Sequence, residues 1–174
     1  DLNASLIKIE KVGVGHTIVR ANSYDYVGNL ASETDGNGAV TSYQYDPANR
    51  VTKKIGPLNT ITYTYDAAGH VTSEINSLGE KVTYIYDSRG MLVEKRRYTD
   101  ANNYISTKFT LDGFNRPTKT TDGNGNSMLY TYDKNDHVIN TTDALGGLTS
   151  YRYDPNGNKA GERSPRAEVD ASLH

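Results

Sequence analysis

Tyr63-Thr64-Tyr65-Asp66-Ala67-Ala68-Gly69-His70-Val71 decides the fold, because the chain repeats this phrase at a near-constant interval. Its opening returns as Tyr43-Gln44-Tyr45-Asp46, Tyr84-Ile85-Tyr86-Asp87, Tyr130-Thr131-Tyr132-Asp133 and Tyr151-Arg152-Tyr153-Asp154. A partial copy stands at Tyr24-Asp25 and a degenerate one at Phe109-Thr110-Leu111-Asp112. With the second aromatic position called n, n falls at 24, 45, 65, 86, 111, 132 and 153, in steps of 21, 20, 21, 25, 21 and 21. A fixed period of this length means stacked supersecondary units. The one long step places an insertion near residues 95–108, around Asp100-Ala101-Asn102-Asn103, where a turn lengthened into a loop is expected.

Within one period the residues specify two strands and two turns. Side chains alternate along a strand, so the tyrosines at n−2 and n share a face. Position n+4 is Gly28, Asn49, Gly69, Gly90, Asn115, Asp136 and Gly157. Those three residue types tolerate positive φ, so a left-handed residue is expected there, with the aspartate at n+1 (Asp25, Asp46, Asp66, Asp87, Asp112, Asp133, Asp154) accepting backbone N–H groups. A second strand begins at n+6, with Pro117 expected at a strand start because it has no N–H for a ladder. A second turn follows at n+11 to n+14, as in Asp35-Gly36-Asn37-Gly38, Asn76-Ser77-Leu78-Gly79 and Asp122-Gly123-Asn124-Gly125, with Asn59 closing Gly56-Pro57-Leu58. A turn every 8 to 12 residues excludes helix and leaves strands of ordinary length. The fold class is all-β: tandem hairpins of about 21 residues in a continuous antiparallel strip. Tyrosines of successive repeats are expected to touch along one face.

The organisation reads as a diverged or truncated repeat over 1–21, six to seven repeats over 22–161, and a tail or partial repeat over 162–174. In the first part, Leu6–Ile9 and Thr17–Val19 read as strands around a Gly13-Val14-Gly15 turn. Asp1 in place of methionine points to a piece of a longer chain.

Leu, Ile, Val and Phe make up only 33 of 174 residues, at the edge of the composition of disordered chains, yet the net charge is only −2. Fourteen tyrosines supply the missing apolar area, which favours a half-buried sheet over a thick core. The 19 basic and 21 acidic residues are scattered, so no nucleic-acid or acidic-membrane footprint appears, and Lys95-Arg96-Arg97 reads as a solvated strand end. Cysteine is absent, excluding a disulfide scaffold and thiolate chemistry. No signal peptide and no apolar run of membrane-spanning length occurs.

Candidate chemistry is sparse. Glu33, Asp35, Asn37 and Gly38 match the start of a calcium loop, but Gln44 stands where the bidentate carboxylate is needed, so a metal-free turn is expected. His70 and His137 share position n+5 without a cluster of ligand spacing and read as solvent-facing. Aspartates recurring once per repeat read as turn caps rather than catalytic pairs. No nucleophile elbow or phosphate loop is present, and no nucleophile, base and oxyanion set falls in any one place. No cofactor and no metal are expected. Asn3-Ala4-Ser5 and Asn140-Thr141-Thr142 are formal glycosylation sequons.

Tyr65-Asp66-Ala67-Ala68-Gly69-His70-Val71 and Tyr153-Asp154-Pro155-Asn156-Gly157-Asn158, followed by Asp-x-x-Gly and Thr-x-Tyr-x-Tyr-Asp, resemble the YD-repeat or Rhs-repeat family over about residues 22–161. The resemblance implies a strip of antiparallel strands that spirals into a hollow shell. In bacterial polymorphic toxins and Tc toxin B and C components such a shell encloses a toxic C-terminal domain, and teneurins carry a similar shell and act in adhesion. It also implies a secreted or cell-surface location. The partners it implies are neighbouring repeats of the same or a like chain and an enclosed toxin domain; a strip of six or seven repeats is too short to close, so self-association through open strand edges is expected. The family's self-cleaving end of shell is not matched, since Asp154-Pro155-Asn156-Gly157 is followed by Asn158 and not leucine. The main expectation is therefore a non-enzymatic shell segment. The alternative is a carbohydrate- or protein-binding adhesive module, although repeats of that kind rely on tryptophan and this chain has none.

Overall fold

The structure, a computed structural model, describes the backbone of residues 7–13 and 16–164, with side chains from residue 21 onward. Val14 and Gly15 of the expected first turn, the Asn3 sequon and the tail beyond 164 lie outside the described residues. Fifteen strands and no helix occur among the described residues. They are β1 (Ile7–Gly13), β2 (His16–Tyr24), β3 (Leu30–Thr34), β4 (Val40–Tyr45), β5 (Val51–Ile55), β6 (Thr60–Tyr65), β7 (Val71–Asn76) and β8 (Lys81–Tyr86). There follow β9 (Leu92–Tyr98), β10 (Tyr104–Leu111), β11 (Pro117–Thr121), β12 (Ser127–Tyr132), β13 (Val138–Thr142), β14 (Leu148–Tyr153) and β15 (Lys159–Arg163).

The described residues fall into two compact units, one up to residue 84 together with 97–103, the other 85–96 together with 104 onward. In the first unit, antiparallel ladders join β1 to β2 and each following strand to the next, as far as β7 with β8. In the second, the ladders run in the same way from β10 to β15. Within each unit these strands thus pair with their sequence neighbours, the least entropically demanding way to build a sheet.

Turn chemistry sets this pattern. In the first turn of the second repeat, Asp46 N–H donates to Arg50 O at 2.9 Å, Asn49 N–H donates to Asp46 O at 2.9 Å, and Asn49 has a φ of 61°. This is the three-residue hairpin loop in which a type I turn is followed by one left-handed residue. All seven n+4 positions have positive φ: Gly28, Asn49, Gly69, Gly90, Asn115, Asp136 and Gly157. The second turns of four repeats use the same geometry, with Gly38, Gly79, Gly125 and Gly146 left-handed.

Asn59 differs from its expected role. It is not left-handed, and the turn closes instead with Gly56 N–H donating to Asn59 O at 2.8 Å. The step from 45 to 65 is one residue short, and the missing residue is the bulge residue of this turn. The insertion also corrects an expectation. Turn 99–103 is as tight as the others, with Thr99 N–H donating to Asn103 O at 2.9 Å. The four extra residues instead lengthen β9 to 7 residues and β10 to 8, where the equivalent pair β3 and β4 has 5 and 6.

Six of the first hairpins carry a further irregularity. Register slips by one residue between n−1 and n, as between Gln44 and Tyr45, Thr64 and Tyr65, Thr131 and Tyr132. The residue left over is n+7, and such a bulge bends its strand and increases local twist. Thr52 and Thr118 occupy this position and donate their hydroxyls to Gln44 O and Thr110 O, both at 3.2 Å. Pro117 opens β11 beside one of these slips, opposite Leu111, where no ladder N–H is needed.

No apolar residue among those with described side chains is buried, and Ser73 is the only buried residue of any kind. Most strand residues are half-buried. Within each unit, contacts along the ladder join one repeat to the next.

Candidate functional site

Within each unit the recurring side chains meet at a seam between neighbouring repeats. The seam begins with the aspartate at n+1. Asp46 Oδ1 accepts the N–H groups of Ala48 at 2.9 Å and Arg50 at 3.0 Å. Asp112 Oδ1 does the same for Phe114 and Arg116, Asp133 Oδ1 for Asn135 and His137, and Asp154 Oδ1 for Asn156 and Asn158. Its other oxygen takes the side chain at n+5: Asn29 Nδ2 on Asp25 at 3.0 Å, Arg50 Nε on Asp46 at 2.7 Å, Arg116 Nε on Asp112 at 2.8 Å, Asn158 Nδ2 on Asp154 at 3.1 Å. In the repeat with Met91 at n+5, Arg89 supplies the partner of Asp87.

These contacts hold all seven n+1 carboxylates below their ordinary range. The main cause is the His70 side-chain hydrogen bond for Asp66, the Asn158 side chain for Asp154, and a backbone N–H for Asp46, Asp87 and Asp112. At Asp25 and Asp133 loss of solvent is the largest single effect and pushes upward, but the hydrogen bonds together outweigh it.

The n+5 side chain then reaches the following repeat. The Arg50 guanidinium lies 4.7 Å from the Tyr65 ring centre, and Arg116 lies 4.5 Å from that of Tyr132. His137 stacks on Tyr153 at 4.5 Å and 17°. Arg50 Nη1 donates to Asp66 O at 3.1 Å, and Arg116 Nη1 donates to Asp136 Oδ1 at 2.7 Å. The seam closes with the tyrosine at n, whose phenol donates back to the carbonyl at n+6 of the preceding repeat. Tyr45 reaches Leu30 O at 2.8 Å, Tyr65 Val51 O at 2.6 Å, Tyr132 Pro117 O at 2.7 Å and Tyr153 Val138 O at 2.9 Å. That carbonyl sits next to the bulge, where the ladder is interrupted.

His70 and His137 are therefore not solvent-facing as expected. Each ring Nδ1 lies within hydrogen-bond distance of its aspartate, at 2.9 Å for Asp66 and 3.1 Å for Asp133, and both side chains are half-buried. They do at n+5 what Arg50, Arg116, Asn29 and Asn158 do. The shared position was the available signal, since every polar residue there can donate to a carboxylate. Lys95-Arg96-Arg97 also differs from a solvated strand end: it lies inside β9, and Arg96 forms a two-pronged bond to Glu94, both at 3.0 Å, and covers the Tyr104 ring at 4.6 Å.

The tyrosines at n−2 play a different part. Tyr43 donates to Glu33 Oε1, and this bond, with burial, pushes its phenol up to about 12. Tyr130 and Tyr151 lie 3.3 Å and 3.5 Å from the hydroxyls of Thr120 and Thr141. The expected aromatic face is in good part a file of tyrosines alternating with cations. Along the other edge, Ser77 donates its hydroxyl to Asn59 Oδ1 at 2.9 Å, which ties two second turns together. The candidate calcium-loop residues are engaged as a turn: Asp35 Oδ1 accepts the N–H groups of Asn37 and Ala39. No cluster of three or more potential metal ligands occurs among the described residues, and no described helix is long and apolar enough to cross a membrane.

The RHS Repeat family model matches residues 24–61, 65–102, 86–127 and 132–169. No curated protein matches the chain. Among solved structures, a component of the Photorhabdus luminescens Tc holotoxin pore is similar at a TM-score of 0.67 and 16% identity, over 84% of this chain and 9% of that one. A chain of the TcdB2–TccC3–Cdc42 complex is similar at a TM-score of 0.56 and 16% identity, over 90% and 12%. A chain of TcdB2–TccC3 follows at 0.52 and 13%, over 95% and 12%. At such identity the likeness shows the fold alone, and this chain spans about a tenth of the length of those it resembles.

Proposed function

The chain belongs to the RHS repeat family, and on that premise we propose that it is a non-catalytic wall segment of a secreted or cell-surface repeat shell that encloses or carries a larger polypeptide, a toxin in the leading case. The observation that supports this most is the fate of the repeated side chains. Aspartates, tyrosines and n+5 residues, the groups from which a site would be made, are bonded to turns and to the adjoining repeat. The side chains at the seam hold neighbouring hairpins together.

The signature residues frame this wall in the proposal. Tyr45, Tyr65, Tyr132 and Tyr153 tie the repeats, Asp25 to Asp154 shape the turns, and Tyr24, Tyr63, Tyr84, Tyr86 and Tyr130 continue the same file. The repeats run over 22–161, flanked by the diverged stretches 1–21 and 162–174. A glycan-binding role has less support, because Arg50, Arg116 and His137 lie on the rings of Tyr65, Tyr132 and Tyr153 that a sugar would need.

The test is protease protection of the enclosed polypeptide in the full-length protein that carries these repeats. Resistance that disappears when the repeats are opened by acid below about pH 4 is the expected result. Equal cleavage before and after opening refutes enclosure.

A further inference from the structure

Within the first unit a cavity of about 880 Å³ opens against the second turns 35–39 and 56–59. Its floor follows from the ladder. Glu33 pairs with Thr41, Tyr43 with Lys54 and Lys54 with Ile61, and paired residues share a face, as do residues two apart. Two side-chain links found elsewhere are missing at this place. Ser77 and Asn59 tie the next pair of second turns, but the corresponding positions here are Pro57 and Gly38, which have no side-chain donor or acceptor. Asp122 closes its turn by accepting Asn126 Nδ2 at 3.0 Å, whereas Ala39 stands at that position after Asp35 and leaves Asp35 Oδ2 without such a partner. Charge is therefore left facing the cavity. Glu33 takes the Tyr43 phenol on one oxygen only, and Lys54 Nζ lies 5.6 Å from the Tyr43 ring centre with no ion pair among the described residues. Ala39, Pro57, Leu58 and Ile61 supply an apolar wall, and Leu58 is 98% exposed.

We propose that this cavity binds a short zwitterionic peptide carrying one apolar and one basic side chain. The carboxylates of Glu33 and Asp35 and the ammonium of Lys54 complement a ligand with two cationic centres and one carboxylate. A peptide meets that description when its α-amino group, basic side chain and C-terminal carboxylate are all free. The two cations face Glu33 and Asp35, the carboxylate faces Lys54, and the apolar side chain lies on Pro57 and Leu58. The cavity falls within the size range of small-ligand sites, about 300–1,000 Å³. Glu33 and Lys54 are half-buried, so each keeps part of its hydration until a ligand charge replaces it, and the desolvation cost is modest. Anionic ligands meet two acids against one cation, and a bare metal ion finds no cluster of three or more potential ligands among the described residues. This binding role goes beyond the wall reading and does not depend on what a shell encloses.

The experiment titrates the isotopically labelled full chain with the dipeptide Leu-Arg and follows backbone amide shifts by NMR. Saturable shifts confined to residues 33–41 and 54–61 are expected. The dipeptide Leu-Glu, which reverses the charge balance, should bind at least about 10-fold more weakly. The C-terminal amide of Leu-Arg, which has no carboxylate for Lys54, should bind about 3- to 10-fold more weakly than the acid. Lys54→Met keeps the stem beside Tyr43 and removes the cation. It should weaken the acid by the same factor and leave the amide unchanged, whereas Lys119→Met, in the other unit, should alter neither. If circular dichroism shows that Lys54→Met does not fold, the comparison of acid with amide on the unaltered chain decides the point. Shifts that do not saturate or that spread beyond the two segments overturn the proposal. So do equal binding of Leu-Glu, equal binding of acid and amide, and equal weakening of acid and amide by Lys54→Met. None of these results alters protease protection in the full-length protein, so failure of the peptide site and failure of the enclosure reading are separable.

Discussion

Tyr132→Phe isolates the closing bond of the seam. The phenol donates to Pro117 O at 2.7 Å while Arg116 lies 4.5 Å from the ring centre, so phenylalanine removes the hydrogen bond and leaves ring burial and the cation contact in place. A hydrogen bond of this kind contributes about 0.5–1.5 kcal/mol net, and partial exposure of this one lets water replace it, which sets the expectation at about 0.5–1 kcal/mol. Repeat arrays open locally, so native-state hydrogen exchange of the β11 and β12 amides is the suitable assay. Exchange there should accelerate roughly two- to fivefold. Tyr130→Phe is the internal control, two residues away in the same strand. Its hydroxyl lies 3.3 Å from Thr120 Oγ1, well beyond the usual hydroxyl bond length, and a change of less than about twofold is expected. An effect of Tyr130→Phe equal to or larger than that of Tyr132→Phe refutes the assignment of the seam to the second tyrosine.

Asn49→Ala places a Cβ-bearing residue with no local hydrogen bond at a φ of 61° and should destabilise by about 1–2 kcal/mol, whereas Asn49→Gly should stay within about 0.5 kcal/mol, both read by chemical denaturation. Asp66→Ala removes the acceptor of the His70 N–H and the partner of its ring, so exchange at His70 should rise with the rest of the unit folded. Acid should weaken the whole array. Each n+1 aspartate has a folded pKa below its unfolded value, so its contribution is complete above about pH 4 and is lost as pH falls through the folded value. Circular dichroism should therefore show unfolding that sets in below about pH 4, and stability that is flat from pH 5 to 7 contradicts nothing in this account, while a loss centred near pH 6 does.

Strand class, period and turn sites were legible in the sequence because they depend on single residues or on spacing. Glycine, asparagine and aspartate at n+4 state a backbone conformation by themselves. What depends on two residues in different repeats was not legible. The tyrosine at n could be assigned to a strand face, but nothing in Tyr-x-Tyr says that one phenol turns back to a carbonyl 14 or 15 residues earlier, because that carbonyl is set free by a bulge at n+7 with no fixed residue type. His70 and His137 were misread for the same reason: viewed singly they lack partners, and viewed as occupants of n+5 beside Arg50 and Arg116 they share the aspartate at n+1 as partner. The insertion was located correctly and given the wrong form. Four residues can lengthen a loop or add two residues to each strand of a hairpin, and the tight Asp100 turn, with its carboxylate accepting the N–H groups of Asn102 and Asn103, favours the second.

A sheet with no buried apolar residue among its described side chains has an unusual thermal consequence. The heat-capacity increment of unfolding comes from newly hydrated apolar surface, about 12–15 cal/mol/K per residue in ordinary domains, and is offset by hydration of polar groups. Here the strands' apolar surface is only half-buried, while many backbone amides lie in the ladders. The increment per residue should fall below that range, and the free energy of unfolding should vary almost linearly with temperature rather than as a steep dome. Such a sheet would keep its cohesion on cooling, where proteins held by an oily interior begin to lose theirs.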